Sequence, residues 1–552
     1  MLYDKQRKPE FWASIKQNKE FSEIIGRIEN NYAELFADGI KPLTREAYDA
    51  YFKTGDRAPF EKDYFDRRAL LVRAFILALL YPEKQEYINT VHDVISAICE
   101  EYNWVVPAHA GAHKIDLFSS ETALLIMECI SFLGDRIDES LKDKALSEVK
   151  RRVIDVYEAE EFLWEKYSSN WTAVCSGCVA ISMMYAFPEA FERNIERIIR
   201  TQEVFLSGFS DEGVCFEGAA YWVYGFGNFV WLSDALFEYS SGKYNLFDLK
   251  KAHIAAAYPR YAVLCGGTAV SFSDTGRVIR FSKALIGCIK SHYPEMQFGL
   301  KSENLIYSNS SANQQNYILR NFLFGGLQLE SELKREDYFL PSAGQMIFNR
   351  EHYSFAVKAG NNGELHNHND VGSFIFADAG GQALCDLGCG YYNREYFSEK
   401  RYEIFCNSSL GHSVPIIDNN PQKVGKNYTG TISRDKDTVT LDIKGAYDVP
   451  GLESFTRTVK AGKSGVTITD AYEGSINSLI DRFITLREPQ VSGGIITLDT
   501  TVIKFDEDTA DLNIKTALNR KHDGEYETAY ILDFEPKGEN RKLVFKIEVT
   551  VW

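Results

Sequence analysis

Cysteine is not enriched in this sequence. The 552 residues contain ten cysteines, far below the density of a small scaffold held together by disulfides. Most of them fall in apolar helical segments, where we expect them to pack as small buried side chains. Cys175 and Cys178 have CxxC spacing, but the run NWTAVCSGCVAISMM is apolar and no second CxxC follows it. We therefore predict that this pair is buried packing and not a zinc site.

Long hydrophobic runs are also missing. No stretch approaches 18 consecutive apolar residues, and the most apolar one, at 69–80, is interrupted by Arg73. We predict a buried helix there and no membrane span. The amino-terminal residues MLYDKQRKPEFW are not followed by the apolar segment of a secretory signal. The sequence thus predicts a cytoplasmic location, or a periplasmic or secreted one if a signal was removed.

Clusters of Lys and Arg do not occur, and the net charge is −17. Binding to nucleic acid needs clustered basic side chains, so we expect no nucleic-acid partner. An acidic glycan is not excluded, because the field of exposed charges is screened over about 10 Å and a local site can be positive within an acidic protein.

Two halves with different hydrophobic periods divide the chain. From about residue 60 to 291, amphipathic segments of helical length follow one another with short polar connections, as in an α-solenoid closed into a toroid or in a large helical bundle. After about residue 337, short alternating segments rich in Val, Ile, Thr, Tyr and Phe predict an antiparallel β-sandwich. We predict a multidomain α+β protein with a helical domain at 1–320 and a β-sandwich at 321–552. The boundary region is the polar stretch at 302–317, with the alternative that the helix-like segment ILRNFLFGGL after it still belongs to the helical domain.

The β half opens on a histidine-rich segment, GELHNHNDVGSF. His366 and His368 are two residues apart, and Asp386 and His412 follow within a short window. Two histidines and a carboxylate are ligands that Zn²⁺ accepts. On extended backbone, residues two apart face the same side, so both histidines could reach one site. The alternative is a polar turn in which Asn and Asp occupy turn positions.

Polar side chains also occur in two helical segments. In SDEGVCFEGAAYWVYGFGNFVW, Tyr221 and Tyr224 are three residues apart and lie on one face of a helix, and Glu217 precedes Tyr221 by one turn. An aromatic stripe of this kind is usually core, although buried phenols need hydrogen-bond partners. Asn170 precedes an apolar helical run, where the simplest role is a helix N-cap.

Together these motifs resemble the heparinase II/III-like polysaccharide lyases, which include oligoalginate lyases and broad-range glycosaminoglycan lyases. The resemblance covers roughly residues 60–552 and implies an (α/α) toroid packed against an antiparallel β-sandwich, with substrate in the cleft between them. It assigns catalysis to Tyr221 and His366 and neutralisation of a uronate carboxylate to Asn170. The metal ligands it implies are His368, Asp386 and His412. Some relatives have a histidine where this sequence has Trp171, so a role supplied by that histidine is in doubt here.

The chemistry implied by the resemblance is β-elimination. The C5 proton of a uronate is removed, the glycosidic oxygen leaves from C4, and a 4,5-unsaturated product forms. An amide such as that of Asn170 stabilises the developing negative charge. Tyr221 serves as acid and base, with His366 assisting or taking the proton from the opposite C5 epimer. One divalent ion, zinc or else manganese or calcium, is expected to be structural and to anchor the loop that carries His366.

Further polar groups are candidates for binding sugar. The segment SFSDTGR at 271–277 is one of them, and surface polarity is the plain alternative for each. The individual residues are Glu217, Tyr224, Trp104, His109, His113, Tyr391 and Arg394.

Two rival functions are a glycoside hydrolase on a similar toroid, which would need opposed carboxylates such as Glu217, Asp211 and Asp274, and a non-catalytic glycan-binding protein. We predict that the partner is an acidic polysaccharide or oligosaccharide substrate. We expect the protein to be a monomer or homodimer and to have no membrane partner.

Overall fold

The computed structural model describes residues 2–299, 302–305, 314–326 and 336–550. The first part of the chain is helical. Its helices are α1 (Pro9–Gln17), α2 (Ser22–Asp38), α3 (Arg45–Thr54), α4 (Ala58–Leu80), α5 (Gln85–Cys99), α6 (Leu117–Leu133), α7 (Glu139–Val149), α8 (Asp155–Ala159), α9 (Asn170–Ala186), α10 (Pro188–Leu206), α11 (Ala219–Tyr221), α12 (Gly227–Tyr239), α13 (Lys250–Ala256), α14 (Lys283–His292) and α15 (Gln314–Phe324).

Buried apolar faces hold these helices together. Helix α4 packs against α2, α5, α6 and α15, and α9 packs against α6, α10 and α12. Almost the whole of α9 is buried, which explains why its sequence is apolar on every side. Cys175 and Cys178 are buried there and form no disulfide, as predicted.

One helical stretch among the described residues, Leu117–Arg136, is long and apolar enough to cross a membrane. Its most apolar window is 78% buried inside the protein.

Two short strands lie in the helical part of the chain, and the others build its second part. They are β1 (Phe281–Ser282), β2 (Ser302–Glu303), β3 (Tyr338–Leu340), β4 (Gln345–Asn349), β5 (Ser354–Lys358), β6 (Gly360–Asn362), β7 (Phe374–Asp378), β8 (Gly381–Leu384), β9 (Pro415–Ile417), β10 (Gly425–Asp435), β11 (Thr438–Asp442), β12 (Leu452–Ala461), β13 (Gly465–Gly474), β14 (Leu479–Thr485), β15 (Gln490–Ser492), β16 (Ile495–Leu498), β17 (Thr501–Phe505), β18 (Ala510–Arg520), β19 (Tyr526–Pro536) and β20 (Lys542–Val549).

From β3 onward the strands form three sheets. The largest has the order β15-β16-β17-β20-β13-β12-β11-β10-β6, and the others have the orders β18-β19-β14-β9 and β3-β4-β5-β7-β8. Neighbouring strands in all three are antiparallel, whereas the short β1–β2 pair in the helical part is parallel. Alternate residues of β12, such as Phe455 and Val459, point into a core shared with Phe483 of β14 and Phe545 of β20. The predicted antiparallel sandwich is confirmed.

Helix α15 belongs to the helical half. Its residues Tyr317, Ile318, Leu319 and Phe322 are buried in the helical core, so the helix runs through the predicted division at 320/321. Helix α15 ends at Phe324 and strand β3 begins at Tyr338, but the helical core also includes Ile347, Ala356 and Ile375 of the β half. Part of the predicted boundary stretch, 306–313, lies outside the described residues.

Candidate active site

A single buried carboxylate, Asp274, organises the region where the two halves meet. It lies on the segment between α13 and α14 of the helical half and is fully buried. All five of the side chains that donate to it come from the β half: His366 Nδ1 at 2.7 Å, Tyr392 at 3.2 Å, His368 Nε2 at 3.1 Å, Arg401 at 2.9 Å, and the hydroxyl of Tyr396.

These donors keep Asp274 ionised. Burial by itself raises the pKa of the carboxyl, but the hydrogen bonds from His366 and His368 and the charge of Arg401 hold that pKa well below its usual range. An ionised carboxylate can only accept, so each histidine must carry a proton on the nitrogen that faces it. His366 is therefore protonated on Nδ1 and His368 on Nε2.

The loop at 363–369 turns His366 towards the helical half. His366 has a left-handed backbone with φ of 57°, and the loop is not the extended strand predicted from the spacing of the two histidines. Its Nε2 lies 3.5 Å from Glu217 Oε2, and its ring centroid lies 4.2 Å from that of Tyr221. With Nδ1 directed at Asp274, Nε2 is the ring nitrogen that faces Glu217.

Asn170 is held by Glu217 and not by a helix cap. It is the first residue of α9, and its side chain makes no capping bond, so the N-cap alternative is wrong. Instead its backbone N–H and its Nδ2 donate to the two carboxylate oxygens of Glu217, at 2.9 and 2.7 Å. Burial raises the pKa of Glu217, against the opposing effect of His366 and Asn170. The buried Asn170 Oδ1 has no hydrogen-bond partner.

Tyr221 and Tyr224 do not share a face. A π-helical turn, Trp222–Phe226, follows Tyr221, and its wider turn rotates the two side chains away from each other. Tyr221 reaches the site, whereas Tyr224 is buried in the helical core beside Glu121, where burial raises the pKa values of both groups. The prediction that Tyr224 binds sugar is therefore not supported by its position.

The hydroxyl of Tyr221 is linked to Asp274 through a second tyrosine. Tyr221 and Tyr392 are 2.8 Å apart at their oxygens, and Tyr392 donates its only proton to Asp274. Tyr221 is consequently the donor in the pair. Burial, and after it the negative charge of Asp274, raises the pKa of Tyr221 well above its usual value. Tyr221 is therefore a protonated phenol in the resting site.

Gly218 allows the Tyr221 helix to approach the Asp274 segment. It has φ of 101°, and a Cβ at this position would lie 2.0 Å from Thr275 Oγ1. Only glycine fits without moving one of the two segments. Because Gly218 of the EGxxY motif has no side chain, Glu217 and Tyr221 can lie next to the segment that carries Asp274.

His368, Asp386 and His412 form a second cluster behind this site. All three are fully buried, and one ligand atom from each lies within 4.8 Å of the others. His368 Nδ1, Asp386 Oδ2 and both ring nitrogens of His412 have no hydrogen-bond partner, although His412 Nδ1 lies 3.1 Å from Asp386 Oδ2. Unpaired buried polar atoms are costly, and this donor set is one that a zinc-like ion accepts. The residues therefore fit a divalent metal ion.

Only some of the other predicted sugar-binding residues lie near the site. Trp104 is 1% exposed, and its indole donates to the carbonyl of Ile98, so it is a core residue. His109 and His113 flank Trp171, each with ring centroids 4.7 Å away, next to Asn170.

Tyr391 is half-buried and Arg394 is exposed. Tyr391 packs under the guanidinium of Arg520 at 3.7 Å, and Arg394 donates to the backbone carbonyls of Tyr51 and Phe52 at 3.0 and 3.4 Å.

Sequence reasoning missed the roles of Tyr392, Tyr396 and Arg401, and it assigned Asp274 only to the rival hydrolase or to general sugar binding. The available signals were the Asp-Thr-Gly turn and the aromatic segment YYNREYF after Asp386. The choice of Tyr391 was one residue away from the tyrosine that contacts Tyr221.

Comparison with known proteins agrees with this architecture. Residues 333–530 match the family described as "Heparinase II/III-like, C-terminal". No curated protein matches the sequence. Among solved structures, a mutant heparan sulfate lyase from Pedobacter heparinus is similar with a TM-score of 0.61 and 14% identity, over 90% of this chain and 77% of the other.

Two further structures share the fold. A chondroitin AC lyase from Streptomyces coelicolor in complex with chondroitin sulphate gives a TM-score of 0.53 at 9% identity, over 96% and 83% of the two chains. A Paenibacillus xanthan lyase gives a TM-score of 0.56 at 8% identity, over 99% of this chain and 60% of the other. Residues 333–530 are thus similar to the heparinase II/III-like C-terminal family, and the chain as a whole shares the helical toroid and β-sandwich fold of these solved polysaccharide lyases.

Proposed function

We propose that this protein is a polysaccharide lyase that cleaves a uronate-containing acidic glycan by β-elimination. The observation that carries the proposal is the meeting of Asn170, Tyr221 and His366 where the two halves touch. This reaction needs an amide donor, a phenol and an imidazole.

The amide of Asn170 would bind the carboxylate of the substrate. Removal of the C5 proton places negative charge on that carboxylate, and an aligned N–H donor stabilises the charge as it develops. Glu217 fixes the orientation of the amide by accepting one Nδ2–H, which leaves the second Nδ2–H for substrate. Glu217 is thus a positioning residue in the proposed mechanism, in place of the direct sugar contact expected from sequence.

Proton transfer would be divided between His366 and Tyr221. His366 Nε2 takes the C5 proton, the electrons of the C5–H bond form the C4–C5 double bond, and the C4–O bond breaks. Tyr221 turns its proton from Tyr392 to the leaving glycosidic oxygen. This assignment follows the resting protonation, because a tyrosine base would first have to lose a proton that its raised pKa retains.

A hydrolase mechanism fits the site less well. Glycoside hydrolysis needs two carboxyl groups facing each other across the sugar. The imidazole of His366 lies between Glu217 and Asp274 and contacts both, and Asp274 already accepts from five side chains. Asp211 is 91% exposed at its side chain and pairs with Lys251. A non-catalytic binding protein would not need His366 and Tyr221 held in this arrangement.

We also propose that His368, Asp386 and His412 hold one structural divalent ion, zinc or else manganese or calcium. Asp274 fixes the His368 tautomer so that Nδ1 faces Asp386 and His412. A carboxylate behind a metal-binding histidine is the usual way to orient the ligand. When bound, the ion would supply a fixed anchor for the loop that carries His366.

The substrate class we propose is a glycosaminoglycan such as heparosan, hyaluronan or chondroitin, or alginate. The solved relatives include a heparan sulfate lyase and a chondroitin lyase, which supports an acidic glycan.

The experiment is a panel of heparan sulfate, heparosan, hyaluronan, chondroitin sulfate and alginate, followed by ultraviolet absorbance. A lyase product absorbs through its new double bond, and Tyr221→Phe serves as the inactive control. New reducing ends without absorbance would show a hydrolase, and no product from any glycan would contradict the proposal.

A further inference from the structure

The two halves touch on one side of the site through the reacting groups themselves. The oxygens of Tyr221 and Tyr392 are 2.8 Å apart, and Glu217 lies 3.5 Å from His366. Both contacts join the helical half to the β half. A glycan chain cannot pass between the halves at this position.

The two halves also touch at the end of α3. Arg394 of the β half donates to the carbonyls of Tyr51 and Phe52, at the end of α3. Gly55, the left-handed residue that ends α3, approaches so closely that a Cβ there would lie 3.3 Å from Arg394 Cβ. The Arg57 guanidinium lies 6.0 Å from the ring centroid of Phe397. These contacts form a second bridge, which we call the α3 bridge.

Side chains connect the two bridges along each half. On the helical half, Arg57 lies 3.5 Å from His109, whose ring packs against Trp171, the residue after Asn170. On the β half, the ring centroids of Phe397 and Tyr392 are 4.8 Å apart. The contacts therefore run in a closed circuit from Tyr392 through the α3 bridge to Trp171, the neighbour of Asn170.

A closed circuit of side-chain contacts is expected of the rim of a pocket, whereas a groove is open at both ends. An enzyme that cuts within a chain needs a groove open at both ends, because the glycan must continue on both sides of the reacting uronate. We propose that this protein is exolytic and accepts only the end of a glycan chain, which the α3 bridge prevents from extending further. This inference rests on the proposed lyase function.

Product sizes test the inference. Each glycan that gives ultraviolet-absorbing product would be sampled early in the reaction and separated by size exclusion, with viscosity followed in parallel. We expect only the shortest unsaturated product beside nearly full-length polymer, and little loss of viscosity. A ladder of longer unsaturated oligosaccharides from the wild-type protein, with a rapid fall in viscosity, would overturn exolytic action.

Opening the α3 bridge tests the cause. In the double variant Arg394→Ala, Phe397→Ala, longer unsaturated products should appear early, from near absence to a major share. Arg193→Ala, which removes an exposed arginine that pairs with Glu158 on the helical half, is the matched control and should keep the wild-type pattern. An unchanged short-product pattern in a folded double variant would overturn the role of the bridge. Absence of unsaturated product from every glycan would instead overturn the lyase function.

Discussion

At the scale of single residues, the arrangement of protons in this site depends on Asp274. It accepts from Nδ1 of one histidine and Nε2 of the other, so the two imidazoles present opposite nitrogens. His366 is left with Nε2 facing Glu217 of the helical half, and His368 with Nδ1 facing Asp386 and His412. In the proposed mechanism, one carboxylate thus orients both the proton acceptor and a ligand of the proposed metal ion.

We predict that Asp274→Asn lowers turnover at least about a hundredfold, because an amide no longer enforces the tautomer of His366. Metal affinity should also fall, by about 10–100-fold, through His368. Steady-state kinetics, metal competition and ¹⁵N chemical shifts of the imidazoles measure these effects.

Asp533→Asn is the control for Asp274→Asn, since Asp533 is equally buried and pairs with Arg482 away from the site. Normal turnover and unchanged imidazole shifts in folded Asp274→Asn would show that the carboxylate only fills space.

Tyr221→Phe should lower turnover by about 10²–10⁴ and leave the fold intact, because only the proton donor is lost. The ring still packs on His366, with centroids 4.2 Å apart. Tyr224→Phe is the matched control, since the same hydroxyl is removed from the neighbouring core position beside Glu121. Loss of turnover in Tyr224→Phe but not in Tyr221→Phe would mean that the reacting tyrosine is misassigned.

At the scale of structural elements, the periodicity of hydrophobic residues correctly predicted the helical and β halves. Fully apolar runs such as α9 and alternating ones such as β12 report which faces are buried, so the helical and β halves were predicted. The division at 320/321 was wrong because α15 is short and follows a polar stretch, which resembles a linker. Its buried residues become apparent only once the other helices surround it.

The site was predictable only where a motif is local. Asn170, Tyr221 and His366 were assigned by resemblance, not by periodicity. Asp274 and Tyr392 were missed as site residues because they are 118 residues apart in sequence and act through tertiary contacts. The separation of Tyr221 from Tyr224 depends on a π-helical turn, which a 3.6-residue period cannot reveal.

The loops after β6 and β8 are expected to depend on the bound ion. Because the ligand atoms that face one another are buried without hydrogen-bond partners, a chelator should lower the melting temperature, by mass action on the folded state. His412→Ala should lower it similarly and abolish the further effect of chelator. Differential scanning calorimetry and elemental analysis are the measurements.

His253→Ala, at a half-exposed histidine that pairs with Glu295, is the control for His412→Ala and should respond to chelator like wild type. Protein purified without chelator and free of bound metal would rule out the site. Metal-free protein that stays folded yet loses all turnover would make the ion catalytic and not structural.

At the scale of the whole molecule, Asp378 ties the three large sheets together. It ends β7, forms a two-bond ion pair with Arg487 just after β14, and accepts from Thr501 at the start of β17. Burial raises the pKa of Asp378, but these partners together hold it below its usual value. The stability it contributes is present above the unfolded pKa of about 3.9 and is lost as pH falls through the lower folded pKa.

We predict that Asp378→Asn lowers the melting temperature at pH 7, from the loss of about 1–3 kcal/mol of charged hydrogen bonding. The difference from wild type should shrink as the pH falls below about 4. Thermal unfolding across that range measures it, with Asp523→Asn, an exposed carboxyl paired with Lys521, as control. A difference that is constant with pH would mean that the carboxylate charge is not what stabilises the sheets.

The position of Asp274 also governs the order of assembly. It is carried by the helical half, yet every side chain that donates to it comes from the β half. Neither half alone can set the two histidine tautomers, so a refolding chain can regain its full helix content while its imidazoles still exchange protons freely with water. Recovery of turnover after denaturation should therefore lag behind recovery of secondary structure, and the lag measures the time that the two halves need to dock.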